Sequence, residues 1–204
     1  MQNRTDRQLA VLLFAGVFGL YLRTMAPGLL FGDSGEFQVA AWTLGLAHST
    51  GYPLYLLLGS AWQHTLALLG VSPAYGLNIL SALFGALAVS LLYLTLVQWL
   101  KSTLGIRRMV ALLAALFLAV NPTFWSQNLI AEVYTLHALF LVLMLNLAYR
   151  LLTANQPSTD ATETLERTSA VTLAAWLALV VGLSFTHHAM TMLALPSVLL
   201  ALWW

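Results

Sequence analysis

The segment Gly32-Asp33-Ser34-Gly35-Glu36 sets two carboxylates three residues apart between glycines. On a helical turn that spacing puts both on one face. Two readings fit. In one, Asp33 is a helix N-cap and Glu36 is the N3 partner of a capping box. In the other, the pair supplies a general base with a second carboxylate nearby, because a base acting on a hydroxyl must be ionised, positioned and shielded from bulk water. Further along, His48 and Tyr52 lie in Ala47-His48-Ser49-Thr50-Gly51-Tyr52-Pro53. This is either a solvated turn punctuated by Gly and Pro or a loop lining a site for a polar-headed ligand. Glu132 and Tyr134 open an apolar run. A carboxylate there gains about 0.3–1 kcal/mol from the helix dipole, or it serves a site. His187 and His188 are adjacent, so on a helix they diverge and make a poor chelating pair. They mark a helix end or bind an anionic head group.

These residues must be held by elements of an unusual composition. Hydrophobic residues make up 60% of the chain and charged residues 7%, against roughly 45–50% and about 25% in soluble domains. So few charges cannot cover a soluble surface, whereas lipid solvates apolar side chains and leaves only the backbone to be satisfied internally. The apolar runs are long and do not alternate, which predicts helices and not a barrel. The fold class expected is all-α, a polytopic transmembrane helical bundle. The net charge of +1 and the lack of a basic patch exclude nucleic acid as a partner. There is no cysteine, so disulfide and thiol chemistry are excluded. Nucleotide loops, zinc motifs and serine-nucleophile elbows are missing from the sequence.

Six apolar segments stand out, Leu9–Met25, Pro53–Gly70, Leu77–Leu100, Met109–Val120, Val133–Leu152 and Ser169–Phe185, and a seventh runs from Ala189 to Trp204. The first is too long for a signal-peptide core and reads as a retained signal-anchor helix. If Pro53–Gly70 spanned the bilayer, Lys101, Arg107 and Arg108 would lie opposite Arg4 and Arg7, against the positive-inside bias. If residues 26–76 instead form a first external loop carrying interfacial helices, every Lys and Arg except Arg23 falls on the cytoplasmic side. Trp62, Gln63 and His64 in mid-segment suit an interfacial helix. Residues 153–168 are then a cytoplasmic loop, and 1–204 is one transmembrane module. This topology gathers Asp33, Glu36, His48, Glu132, His187 and His188 on the outer face. Ionisable groups at a membrane boundary are costly, so such a cluster marks a functional site.

The blocks Gly32-Asp33-Ser34-Gly35-Glu36-Phe37, Ala41-Trp42-Thr43-Leu44-Gly45-Leu46-Ala47-His48, Thr50-Gly51-Tyr52-Pro53-Leu54-Tyr55 and Asn78-Ile79-Leu80-Ser81-Ala82 resemble one known family. Trp125-Ser126-Gln127, Glu132-Val133-Tyr134-Thr135-Leu136 and Gly182-Leu183 with Thr186-His187-His188 extend the likeness over most of the chain. The family is that of the bacterial membrane proteins related to the eukaryotic protein O-mannosyltransferase called transmembrane protein 260. The resemblance implies a GT-C type glycosyltransferase whose partners are a polyprenyl-phosphate-linked sugar donor, a protein or glycan acceptor and the lipid bilayer. It implies a location in the bacterial inner membrane with the site facing outside. It assigns Asp33 as the base and Glu36 as the supporting carboxylate of an inverting transfer. Arg23, His187 and His188 are then candidates to hold the donor phosphate, and His48, Tyr52, Glu132 and Tyr134 to line the substrate site. No cofactor is assigned, and Asp33 or Glu132 could hold a divalent cation. Family members are longer, so further spans and a soluble portion are expected beyond Trp204.

The rival class is a transporter or flippase-like protein, whose carboxylates would lie near the bilayer midplane in broken helices. The charge-derived topology is testable by cysteine accessibility at Ser34 and Ser102. External reagent should label the first and spare the second, and the reverse pattern would sink it.

Overall fold

The computed structural model describes residues 4–154 and 163–203, and all regular structure there is helical. The order is α1 (Arg4–Thr24), α2 (Asp33–Thr43), α3 (Pro53–Ala67), α4 (Pro73–Trp99), α5 (Leu104–Val120), α6 (Pro122–Asn128), α7 (Tyr134–Ala154), α8 (Glu163–His187) and α9 (Thr191–Trp203). Residues 155–162 of the expected cytoplasmic loop lie outside the described residues, and its later part belongs to α8.

Four helices, α1, α4, α7 and the Ala170–His187 part of α8, are long and apolar enough to cross a membrane. The chain is therefore an integral membrane protein of polytopic helical design. The span expected at Met109–Val120 starts earlier, at Leu104, and with α6 forms a pair bent by 65°. Pro122 cannot continue the α5 hydrogen-bond ladder, and Asn121 caps the new helix by accepting from the N–H groups of Thr123 and Phe124. The seventh segment becomes α9, 13 residues with Pro196 inside, short of a span. Pro53–Gly70 forms α3, also shorter than a span at 15 residues.

Helix α4 is the common wall, packed by α1, α3, α5 and α7. Helix α5 turns Ala111, Ala115 and Ala119 inward at four-residue spacing, and α4 offers Ala82, Ala86 and Val89. Small residues let helix backbones approach where lipid removes any hydrophobic drive for association. Polar bonds then fix the register. Tyr21 Oη donates to the Ala119 carbonyl at 2.8 Å, Ser90 Oγ to that of Ala10 at 2.7 Å, and Asn146 Nδ2 to Thr95 Oγ1 at 3.0 Å.

Asp6 is fully buried and paired with Arg108 Nε at 2.6 Å. This pair joins the start of α1 to the start of α5. It puts Arg4, Arg7, Lys101, Arg107 and Arg108 at one end of the bundle and the loop of residues 26–76 at the other. Ser34 is buried, so exposed Ser49 is the better external labelling position.

Gly85 sits where α4 meets α6, and a Cβ there would overlap Oδ1 of buried Asn128. Gly85→Ala should destabilise the protein by about 1–3 kcal/mol through overpacking, read as a lower melting temperature in detergent. Gly182, with nothing within 4 Å of an added Cβ, is the control, and Gly182→Ala should be neutral or mildly stabilising.

Candidate active site

The loop of residues 26–76 is tied down by buried amides. Gln38 Nε2 donates to the Gly28 and Ala74 carbonyls, both at 3.3 Å, and to Asn78 Oδ1 at 2.9 Å, while its Oε1 accepts from Leu30 N–H at 3.1 Å. Asn78 Nδ2 donates to the Ala26 carbonyl, and Gln63 Nε2 to those of Gln38 and Pro73, each at 3.0 Å. Non-helical backbone at membrane depth needs such partners. The result orients α2, whose first turn carries Asp33 and Glu36.

The capping-box reading of these two residues does not hold. The N-cap is Gly32, at φ 71° and ψ −151°, a conformation reserved for glycine, and no side chain caps the helix. Asp33 is thus the first helical residue. Gly35 is needed for a second reason: a Cβ there would collide with the Leu30 carbonyl oxygen. Glu36, freed from capping, reaches across to the following loop. Its Oε1 accepts from His48 N–H at 2.6 Å and its Oε2 meets His48 Nδ1 at 2.7 Å. This hydrogen bond draws Glu36 below its usual carboxylate range and raises His48, with the charges of Asp33 and Glu132 adding to the rise in His48.

Glu132 lies in the turn before α7, not inside the helix, and is only 9% exposed. Ser81 of α4 grips its peptide from both sides, accepting from Glu132 N–H at 3.1 Å and donating to the Glu132 carbonyl at 3.4 Å. Ser34 Oγ donates to its carboxylate at 3.4 Å. Burial, reinforced by the nearby charge of Asp33, pushes Glu132 up, so it holds its proton more readily than an exposed glutamate. Tyr52 is pushed up too, first by burial and then by Tyr134, Asp33, Glu132 and Glu36. Asp33, Glu36, Glu132, His48, Tyr52 and Tyr134 therefore share one small region although 101 positions separate the first and last.

Aromatic rings wall this region. Tyr52 lies 5.4 Å from His48 and 5.6 Å from His188 between centroids, and Tyr134 lies 5.7 Å from His188. Burial pushes His188 down towards the neutral form. His187 is set further in, 1% exposed, with its Nε2 bonded to the Val133 carbonyl at 2.9 Å. Arg23 is exposed in the last turn of α1 and makes no bond with the cluster. His137 is a member that motif reading missed: it stands 4.9 Å from His188 and is 9% exposed. A lone polar residue early in an apolar span was the available signal.

Asp33, Glu36 and His48 each offer a ligand atom, all within 4.8 Å of one another. The donor set suits a divalent cation, yet Glu36 and His48 already satisfy each other. Electrostatically the region is acidic and presents bases and hydrogen-bond acceptors to whatever enters it.

The Glu36–His48 contact has a defined pH window. The His48 arm is fully present below its ordinary value of 6.5 and is lost as pH rises through the raised value in the folded protein. The Glu36 arm is present above 4.5 and is lost as pH falls through its lowered value. The His48 imidazole should titrate above 6.5 by NMR and fall back towards 6.5 in Glu36→Gln. An unchanged midpoint in that variant would show that the pair does not form.

A family profile described as the Protein O-mannosyl-transferase TMEM260 N-terminal domain matches residues 33–204. The chain is 40% identical over 141 residues to the mouse Protein O-mannosyl-transferase TMEM260, covering 69% of this chain and 19% of that protein. It is 30% identical over 135 residues to the Dictyostelium discoideum protein of the same name, covering 66% of this chain and 16% of that one. The matches thus span less than a fifth of those relatives. No solved structure matches. The profile begins at Asp33 and takes in every residue of the carboxylate and histidine cluster, and on that match the chain belongs to the TMEM260 N-terminal domain family.

Proposed function

We propose that this chain carries the reaction centre of a membrane glycosyltransferase of GT-C type. It moves a mannose from a polyprenyl-phosphate carrier to a hydroxyl of a protein or glycan acceptor at the outer face of the plasma membrane. The observation that carries this reading is the convergence of Asp33, Glu36 and Glu132 with His48 and two tyrosines at the end of the bundle opposite the basic residues. The names of the relatives supply the sugar. A transport pathway would set its carboxylates near the midplane; these occupy a loop and a helix–helix turn at one end.

The step is an inverting displacement. Asp33 accepts the acceptor's O–H proton as that oxygen bonds to the anomeric carbon. The bond from that carbon to the carrier phosphate breaks on the opposite face, and the phosphate leaves with the electron pair. Glu36 locks the His48 loop beside Asp33. Glu132, which retains its proton more readily, donates a hydrogen bond within the site. Among the described residues Arg23 is the Lys or Arg at this end of the bundle, and it is the cation available to the carrier phosphate. An apolar groove of about 320 Å³ between α3 and α4, lined by Leu58, Trp62, Leu80 and Phe84 among others, suits the isoprenoid chain. Positioning and charge stabilisation supply most of the rate, because the phosphate is already a good leaving group. No step is routed through a metal.

Asp33→Asn separates base from scaffold, since Asn preserves size and Asp33 has no capping bond to lose. In the full-length protein, single-turnover transfer should fall on the order of 10²–10⁴-fold, with expression and melting unchanged and donor affinity little altered. Glu36→Gln should be milder. Wild-type turnover in Asp33→Asn would move the base to Glu36.

A further inference from the structure

Three histidines pack together where α7 begins and α8 ends. His137 is 4.9 Å from His188 and 6.5 Å from His187 between ring centroids, and the last two are 6.1 Å apart. Their exposures are 9%, 8% and 1% for His137, His188 and His187. Backbone bonds fix two of the tautomers. His187 Nε2 faces the Val133 carbonyl, which can only accept, so Nε2 carries the hydrogen and Nδ1 keeps a lone pair. Met190 N–H donates to His188 Nδ1 at 3.1 Å, so a neutral His188 carries its hydrogen on Nε2. His137 makes no side-chain hydrogen bond with any described residue, and a neutral imidazole offers one donor and one acceptor in either tautomer. His137 Nδ1 and His187 Nδ1 are both buried without a partner.

The protein thus leaves two N–H donors and two lone pairs unengaged within one cluster of rings. Buried polar atoms are seldom left so, because each forfeits its hydration. The phosphodiester of a polyprenyl-phosphate sugar has acceptors only. Against these rings its oxygens would leave both lone pairs facing acceptors. A hydroxyl donates and accepts, and bears no charge. Tyr52 and Tyr134 flank His188 and offer apolar ring faces beside these polar atoms. We infer that His137 and His188, backed by His187, form a hydroxyl-reading subsite that binds the hexose ring of the donor and not its phosphate. His137 is then a specificity-determining residue of the reaction. The inference rests on the reading of the site as a sugar transferase and assigns the sugar end of the donor to the histidines.

The test uses full-length protein with labelled histidine rings. Methyl mannoside should shift the ring-nitrogen resonances of His137 and His188, while dimethyl phosphate at equal concentration should not. His137→Phe keeps a ring against His188 and removes both nitrogens. It should raise KM for polyprenyl-phosphate mannose about tenfold or more and leave inhibition by polyprenyl phosphate alone unchanged. His137→Gln, which restores a donor and an acceptor, should recover part of the loss. Shifts with dimethyl phosphate but not with mannoside would overturn the inference, as would wild-type KM in His137→Phe or a parallel loss of polyprenyl-phosphate inhibition. If the wild type transfers no sugar from any such carrier, the transferase reading falls, and the mannoside–phosphate titration still decides the subsite. That titration needs no variant, so a misfolded His137→Phe leaves the decision intact.

Discussion

Irregular backbone beside a bilayer must find its hydrogen bonds inside the protein, and Gln38, Gln63 and Asn78 answer that constraint. Between them these amides engage backbone groups of Ala26, Gly28, Leu30, Gln38, Pro73 and Ala74. A loop of some fifty residues is thereby pinned to the top of α4. The placement of Asp33, Glu36 and Tyr55 follows from that pinning, because α2 carries the first two and α3 the third. Removing one amide would strand several backbone groups at once, each costly to leave unpaired where water is scarce.

Helix α4 supplies the second anchor through one small side chain. Ser81 holds the Glu132 peptide from both sides, and its hydroxyl also lies 3.3 Å from Tyr55 Oη. Loop and turn are thus referenced to the same atom, which keeps Asp33 and Glu132 close although their charges repel. That proximity has an electrostatic consequence. Two neighbouring carboxylates do not ionise independently, and the more buried one, Glu132, takes the upward shift. Environment therefore separates the acidic residues into different roles. Glu36 is held ionised by His48, and Glu132 is inclined to keep its proton.

The opposite end of the bundle follows the same physics with a different outcome. Asp6 is completely buried and paired with Arg108 Nε. A buried carboxylate without such a partner would be strongly destabilising. The pair aligns α1 with α5, and Tyr21 does so again one bundle-length away through the Ala119 carbonyl. Small residues along α5 permit this close alignment, so the two helices and α4 act as a rigid support beneath the site.

What the sequence by itself determined was everything that depends on local physics. Apolar runs long enough for a bilayer specified the helices, Pro53, Pro73 and Pro122 specified where new ones begin, and the placement of Lys and Arg separated the two ends. The blocks around Asp33, Glu132 and His187 carried the family likeness. Only the tertiary structure decided which polar groups meet. Gly32, not Asp33, caps α2; Glu36 bonds His48 across the loop; Asp6 finds Arg108; and His137 joins His188 from another helix. Hydropathy and spacing report on neighbours in the chain. The partner of a buried charge or imidazole is set by whichever groups packing brings within about 3 Å, and no local pattern encodes that distance.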